Sequence, residues 1–219
     1  MDAIDIPSLR AETDRLTENL PDGSPLDAQA AALIGLAAAV SVTSLDRAAI
    51  DEAIGRALDT GASMVQLQEI IALASGLGVH SLMASSAVLL AEGVKRGLVA
   101  RDVPRDVERQ RLWDKHVGDD PFWTEFSSEL PGFLEALLQL SPEVFTGFFE
   151  YCAIPWRSGT VRAWIKELAA LACDASPSHR FRPGFRVHLK NAIKLGVGRT
   201  AIYQTLDIAA AAPEHRGFA

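Results

Sequence analysis

The residues best suited to chemistry lie between positions 167 and 188. Glu167, His179 and His188 fall in one short stretch, and imidazole and carboxyl groups are the usual general acids and bases near neutral pH. The window between Asp174 and Asp207 has no acidic residue and holds Arg180, Arg182, Arg186, Lys190, Lys194 and Arg199. In a chain of net charge −7 this is a local reversal of sign. Guanidinium groups suit a carboxylate, so Arg180, Arg182 and Arg186 are candidates for holding a small anionic organic molecule. A basic solvated face or a subunit contact is the alternative reading of the same window. The chemistry permitted is proton transfer on a small carboxylate: one cation holds the carboxylate, and one acid protonates the carbanion or enolate that develops. His188 is the candidate acid, Glu167 orients it or accepts a proton, and His179 is a second acid/base. A metal set of His179, His188 and Glu167 is an alternative, but its spacing is that of no helical zinc motif. No metal and no cofactor is called for.

The elements that must position these groups read as helices. Leu67, Ile70, Ile71 and Ala74 fall at i, i+3, i+4 and i+7, and so do Ile202, Thr205, Leu206 and Ala209, the spacing of one helix face. No segment alternates apolar and polar residues over a strand's length, so the chain is expected to be all-α. Ser63 with Gln66 predicts a capping box, and Gly61 and Gly196 sit where a helix stops on a left-handed residue. Pro21 to Pro25 breaks the chain after an N-terminal helix. His188 is expected on a helix over about 184–195, at the edge of its apolar stripe, with Glu167 on the preceding helix packed antiparallel to it.

A shift of 135 residues aligns the chain with itself without a gap: His80 falls on His215, Gly61 on Gly196, Ala57 on Ala192 and Ser41 on Ser176. This predicts two tandem copies of one helical unit. The copies differ where chemistry would reside: Glu167, His179 and His188 face Ala32, Ser44 and Ala53, and Arg180 and Arg186 face Leu45 and Asp51. The expected organisation is an N-terminal helical extension over 1–25, a degenerate copy over 26–102, a charged connector over 103–129 and a copy with the candidate site over 130–219.

The bulk composition narrows the class further. Apolar residues make up 48% and charged residues 22%, an ordinary globular balance. The acidic net charge argues against a nucleic-acid partner. Cys152 and Cys173 form no metal or disulfide pattern and read as reduced thiols. The N-terminus lacks the pattern of a signal peptide, and the most apolar stretch, 28–42, is too short to span a bilayer. A cytoplasmic protein with no membrane partner is expected.

Residues from about 130 to 212 resemble the carboxymuconolactone decarboxylase family, which includes the AhpD-like alkylhydroperoxidases. The resemblance is carried by Lys166-Glu167-Leu168 on one helix, then by His188 with Ala192 four residues later and Gly196 eight residues later. It implies an all-α AhpD-like fold, assembly into homo-oligomers, and Glu167 and His188 as site residues. The thiol peroxidases of the family carry a Cys-x-x-Cys before the histidine; the corresponding positions here are Phe181 and Gly184. The resemblance is therefore to the decarboxylase-type branch, and implies a lyase or isomerase working by decarboxylation or proton transfer on a small carboxylate or lactone. A turn that reads Gly-x-Thr-x-Glu-Glu in the family is Gly196-Val197-Gly198-Arg199-Thr200-Ala201 here, without its glutamates. The non-enzymatic alternatives are an oligomeric helical scaffold with a decayed site and a His/Glu metal-binding protein.

Overall fold

The structure, a computed structural model, describes residues 4–101 and 103–215. These form α1 (Ile6–Leu16), α2 (Ala28–Val40), α3 (Arg47–Asp59), α4 (Met64–Ser75), a 3-10 turn (Gly76–Val79), α5 (His80–Lys95), α6 (Val107–His116), α7 (Pro121–Glu129), α8 (Phe133–Leu140), α9 (Pro142–Arg157), α10 (Ala163–Ala175), α11 (Arg182–Lys194) and α12 (Arg199–Ala210). No strand occurs among the described residues, so the fold is all-α as expected.

Local chemistry starts and stops these helices where the sequence indicates. Ser63 accepts from Gln66 N while Gln66 returns to Ser63 N, the reciprocal pair that satisfies two orphan donors of α4. Asp5, Asp27 and Asp46 cap α1, α2 and α3 through their carboxylates. Gly61 and Gly196 hold φ of 83° and 82° and close α3 and α11 in the left-handed conformation.

The chain divides into two compact units, one of Met1–Leu77 with Ile154–Ala219 and the other of Gly78–Ala153. This division is discontinuous in sequence. It cuts the chain at other places than the segments 26–102, 103–129 and 130–219, which follow the repeat and the charge. The charged stretch 103–129 itself carries α6 and α7, which bury Leu112 and Phe126.

In the first unit α10 packs on α2, α4, α11 and α12, and α2 packs on α3, α4 and α12. All residues of α10 from Ile165 to Ala175 are buried, as suits a helix apolar on nearly every side. The shift of 135 is a property of the backbone as well as the sequence. Each bound of α10, α11 and α12 is that of α2, α3 and α4 plus the same number (163 − 28, 182 − 47 and 199 − 64 all equal 135). Two non-glycine residues with positive φ, Leu45 at 44° and Arg180 at 53°, obey the same offset. The turn at 21–23 joins the frame by capping α12: Arg199 N donates to Pro21 O and Thr200 N to Asp22 O, at 3.0 and 2.8 Å. A Cβ on Gly198 would stand 2.6 Å from Asp22 O, so the two backbones meet only because Gly198 has no side chain.

The same unit buries an ion pair. Lys166, 2% exposed, donates through Nζ to Glu69 Oε1 at 2.8 Å, to Pro155 O at 2.8 Å and to Ser158 O at 2.9 Å. Ser158 Oγ donates to the other Glu69 oxygen at 2.6 Å. The three ammonium protons are thereby spent, and the strand of chain leading into α10 is fixed.

The second unit is held by rings. Phe133, Phe145, Phe148 and Phe149 pack with Trp123 and Phe126 at centroid separations of 4.9 to 6.2 Å. In that unit α5 and α6 pack on α8. The stretch Met64–Lys95 is long and apolar enough, by composition, to cross a membrane, a property the sequence reading gives to no segment. Core helices of soluble proteins meet the same criterion.

Candidate functional site

Two facing helices build the site. On α10, Glu167 and Asp174 are seven residues apart, two turns, and so point to the same side. On α11, Gly184, His188 and Asn191 recur at i, i+4 and i+7 and present one stripe toward α10. Antiparallel packing of this pair brings the side chains together. His188 Nδ1–H donates to Glu167 Oε2 at 2.7 Å, and Asn191 Nδ2 donates to Glu167 Oε1 at 3.2 Å. Glu167 is buried and the His188 side chain is 19% exposed. Glu167 thus fixes the ring orientation and the tautomer and leaves Nε2 as the working nitrogen.

Asp174 completes the far end. It is fully buried, and its Oδ2 stands 3.9 Å from His188 Nε2 while its Oδ1 stands 3.6 Å from His179 Nε2. A Cβ at Gly184 would fall 2.3 Å from Asp174 Oδ2, so the carboxyl occupies space that any other residue at 184 would fill. Burial pushes the Asp174 carboxyl up to about 8, against an opposing pull from His188. Burial works to lower His188, but its hydrogen bond to Glu167 and the charges of Glu167 and Asp174 prevail and raise it above the ordinary imidazole value. Burial lowers His179. The site therefore combines an imidazole biased toward its charged form with a carboxyl biased toward its neutral form, the divergence that separates acid and base roles.

Of the residues singled out from sequence, the structure brings together Glu167 and His188 directly, and His179 with them through Asp174. The arginines go elsewhere. Arg186 Nε donates to Glu12 Oε1 of α1, and Arg182 Nε lies 3.6 Å from Glu12 Oε2. At 100° per residue, Arg182 and Arg186 lie about 120° and 160° around α11 from His188. Their face is turned toward α1, where Glu12 is itself only 6% exposed. Arg10–Asp207 at 2.5 Å and the Tyr203 hydroxyl on Asp14 tie the same helix to α12. Arg180, held at φ 53° in the loop before α11, lines a cavity of about 510 Å³ with Thr43, Ser178, Glu214 and His215.

Asp174, Gly184 and Asn191 are not among the site residues expected from the sequence. Their signal was present in the repeat: at the offset of 135 they face Ala39, Ala49 and Arg56. Helices α2 and α3 thus have Ala39 and Ala49 where α10 and α11 have a carboxyl and the glycine that makes room for it. The spacing Glu167 to Asp174 on an otherwise apolar helix was a second signal.

An all-α frame in which consecutive helices present a glutamate and a histidine to each other, with no cysteine pair before the histidine, is similar to that of the carboxymuconolactone decarboxylase and AhpD-like family. The match that carries this likeness is a solved structure from Burkholderia xenovorans LB400, a protein provisionally assigned as a gamma-carboxymuconolactone decarboxylase subunit. It is 29% identical to this chain, superposes with a TM-score of 0.73, and the match covers 94% of this chain and 90% of that one. No family model matches the sequence, and no curated protein matches it significantly.

Proposed function

We propose that the chain is a lyase or isomerase of the decarboxylase type, acting by acid–base chemistry on a small carboxylate or lactone. The observation that carries the reading is the 2.7 Å bond between His188 Nδ1 and Glu167 Oε2, made between two helices and out of bulk water. A carboxylate fixing one imidazole nitrogen frees the other to deliver a proton to a developing carbanion or enolate, a role worth roughly 10²- to 10⁴-fold in rate. The arginine set reduces on this reading to Arg180, because Glu12 occupies Arg182 and Arg186. Thiol peroxidase chemistry finds no support: Cys173 is fully buried, its thiol is raised beyond the usual range by burial and then by Asp174, and burial raises Cys152 to about 11.

The same reading takes the two helix triplets as tandem copies, supported by their shared offset, with chemistry kept in the second. It takes the protein as a cytoplasmic homo-oligomer, in keeping with two free cysteines and with a relative named a subunit. The test is turnover of gamma-carboxymuconolactone and related small lactones and acids, followed by carbon dioxide release and by product spectra. His188→Gln and Glu167→Gln, folded by circular dichroism, should each lose at least about 100-fold in kcat. Turnover by wild type that survives His188→Gln unchanged overturns the assignment.

A further inference from the structure

Decarboxylation of a carboxylate consumes a proton. The carbon–carbon bond breaks, its electron pair stays on the substrate carbon, carbon dioxide leaves, and one proton drawn from solvent ends on that carbon. An imidazole that has given up this proton must be recharged before the next turnover. We propose that Asp174 and His179 form the proton line that recharges His188. The purpose of this line rests on the decarboxylation reading above; its parts rest on geometry.

Asp174 stands between the two histidines and turns a different oxygen to each, Oδ1 to His179 Nε2 at 3.6 Å and Oδ2 to His188 Nε2 at 3.9 Å. These separations are longer than hydrogen bonds, and a small side-chain rotation closes them, as happens when a resting site takes up its substrate. His188 reaches solvent over 19% of its side chain, the surface a substrate must cover to react there. His179 reaches solvent over 11% of its side chain, from the loop between α10 and α11. Recharging through His179 therefore works while the substrate side is closed.

The proton count balances. Asp174 passes the proton on Oδ2 to His188 Nε2 and takes one on Oδ1 from His179 Nε2, and His179 is reprotonated by water. His188 keeps its Nδ1 proton on Glu167 throughout. The accepted proton then lies on Oδ1, and a half-turn of the carboxyl about Cβ–Cγ turns it toward His188 before the next turnover. Burial keeps Asp174 largely protonated at neutral pH, which is the form that can give. Within this unit the groups facing this line include Glu167 and Cys173 from α10, His179 from the loop, and His188 and Asn191 from α11.

The internal repeat supports the line as one device. At the shared offset Asp174, His179, Gly184 and His188 face Ala39, Ser44, Ala49 and Ala53. The first copy lacks every part, including the glycine that makes room for the carboxyl.

Two readouts test the proposal, one with substrate and one without. In dilute non-transferring buffer, His179→Ala should turn over roughly tenfold or more slowly than wild type, and added imidazole should restore much of the rate, since it can replace a missing proton carrier. A side chain needed only for packing would not be replaced by a buffer molecule. Without substrate, ¹⁵N-imidazole spectra of His188 are recorded against pH in wild type and in the isosteric Asp174→Asn, where loss of the carboxyl should move the His188 titration to lower pH. Unchanged turnover of His179→Ala, a loss that imidazole does not relieve, or a His188 titration indifferent to Asp174→Asn each overturns the line. If wild type turns over no lactone or acid, the decarboxylase reading falls, and the titration alone judges the coupling of His188 to Asp174.

Discussion

Replacing Gly184 by alanine isolates the contact on which the site's far end depends. The new Cβ would stand 2.3 Å from Asp174 Oδ2 and 3.0 Å from its Cγ, with the Phe181 ring also at 3.0 Å. That is roughly 1 Å inside van der Waals contact. Asp174 is fully buried, so its carboxyl cannot swing into solvent to relieve the clash. Overpacking of this kind costs about 1–3 kcal/mol, while alanine in place of glycine inside a helix returns about 1 kcal/mol. In an Asp174→Ala background the carboxyl is gone and only the Phe181 ring edge still crowds the new Cβ, and the pair becomes that at the offset positions, Ala39 with Ala49. There the same Gly184→Ala change keeps up to about 1 kcal/mol of helix propensity, less what the Phe181 contact costs in both backgrounds. The two backgrounds should therefore differ by roughly 2 kcal/mol, within the range seen for residues in direct contact. Urea denaturation of wild type, both single variants and the double variant, followed by circular dichroism, measures this coupling. An effect of Gly184→Ala that is equal in both backgrounds within about 0.5 kcal/mol would refute the reasoning.

The other predictions concern pH, the buried ion pair and the α12 cap. The folded chain holds the Asp174 proton up to about 8 whereas its ordinary value is 3.8, so the unfolded chain ionises first, and Asp174's contribution is lost as pH rises through that window. His188 is also raised, from 6.5, and its contribution is likewise present below that value and lost as pH rises through the folded one. Denaturation midpoints should decrease as pH rises from about 6.5 to about 8, the range the two shifts share, and Asp174→Asn should flatten the slope; an unchanged slope contradicts the assignment. Lys166→Met leaves Glu69 buried without its cation and should cost about 3–5 kcal/mol, whereas Lys166→Met with Glu69→Leu should recover much of it, read as Tm. Gly198→Ala puts a Cβ 2.6 Å from Asp22 O and Gly23 Cα; loss of about 2 kcal/mol, some 4–8 °C in Tm for a chain of this size, is expected.

The local level of this fold was legible in the amino-acid order. Periodicity of 3.6, the Ser63–Gln66 box and the stops at Gly61 and Gly196 depend on residues a few positions apart, whose effects on the backbone are steric and short-range. The offset of 135 was legible for the same reason, since equal local patterns fold into equal helices. Glu167 and His188 could be found because each occupies a position in such a pattern. Partnership beyond the Glu167–His188 pair was not legible. Arg182 and Arg186 look like anion-holding groups until α1 is laid beside α11 and Glu12 neutralises them from 174 residues away for Arg186. Asp174 looks like the polar end of an apolar helix until the absence of a Cβ at Gly184 lets it stand between two histidines. Lys166, an apparent surface lysine beside Glu167, proves to be 2% exposed because Glu69 and two carbonyls converge on it. Charge and side-chain type are written residue by residue, but the energy of a charge depends on what surrounds it after packing. The sequence determined the helices and the groups able to move a proton; tertiary structure decided which of those groups meet and, by withdrawing water from them, which form each one holds.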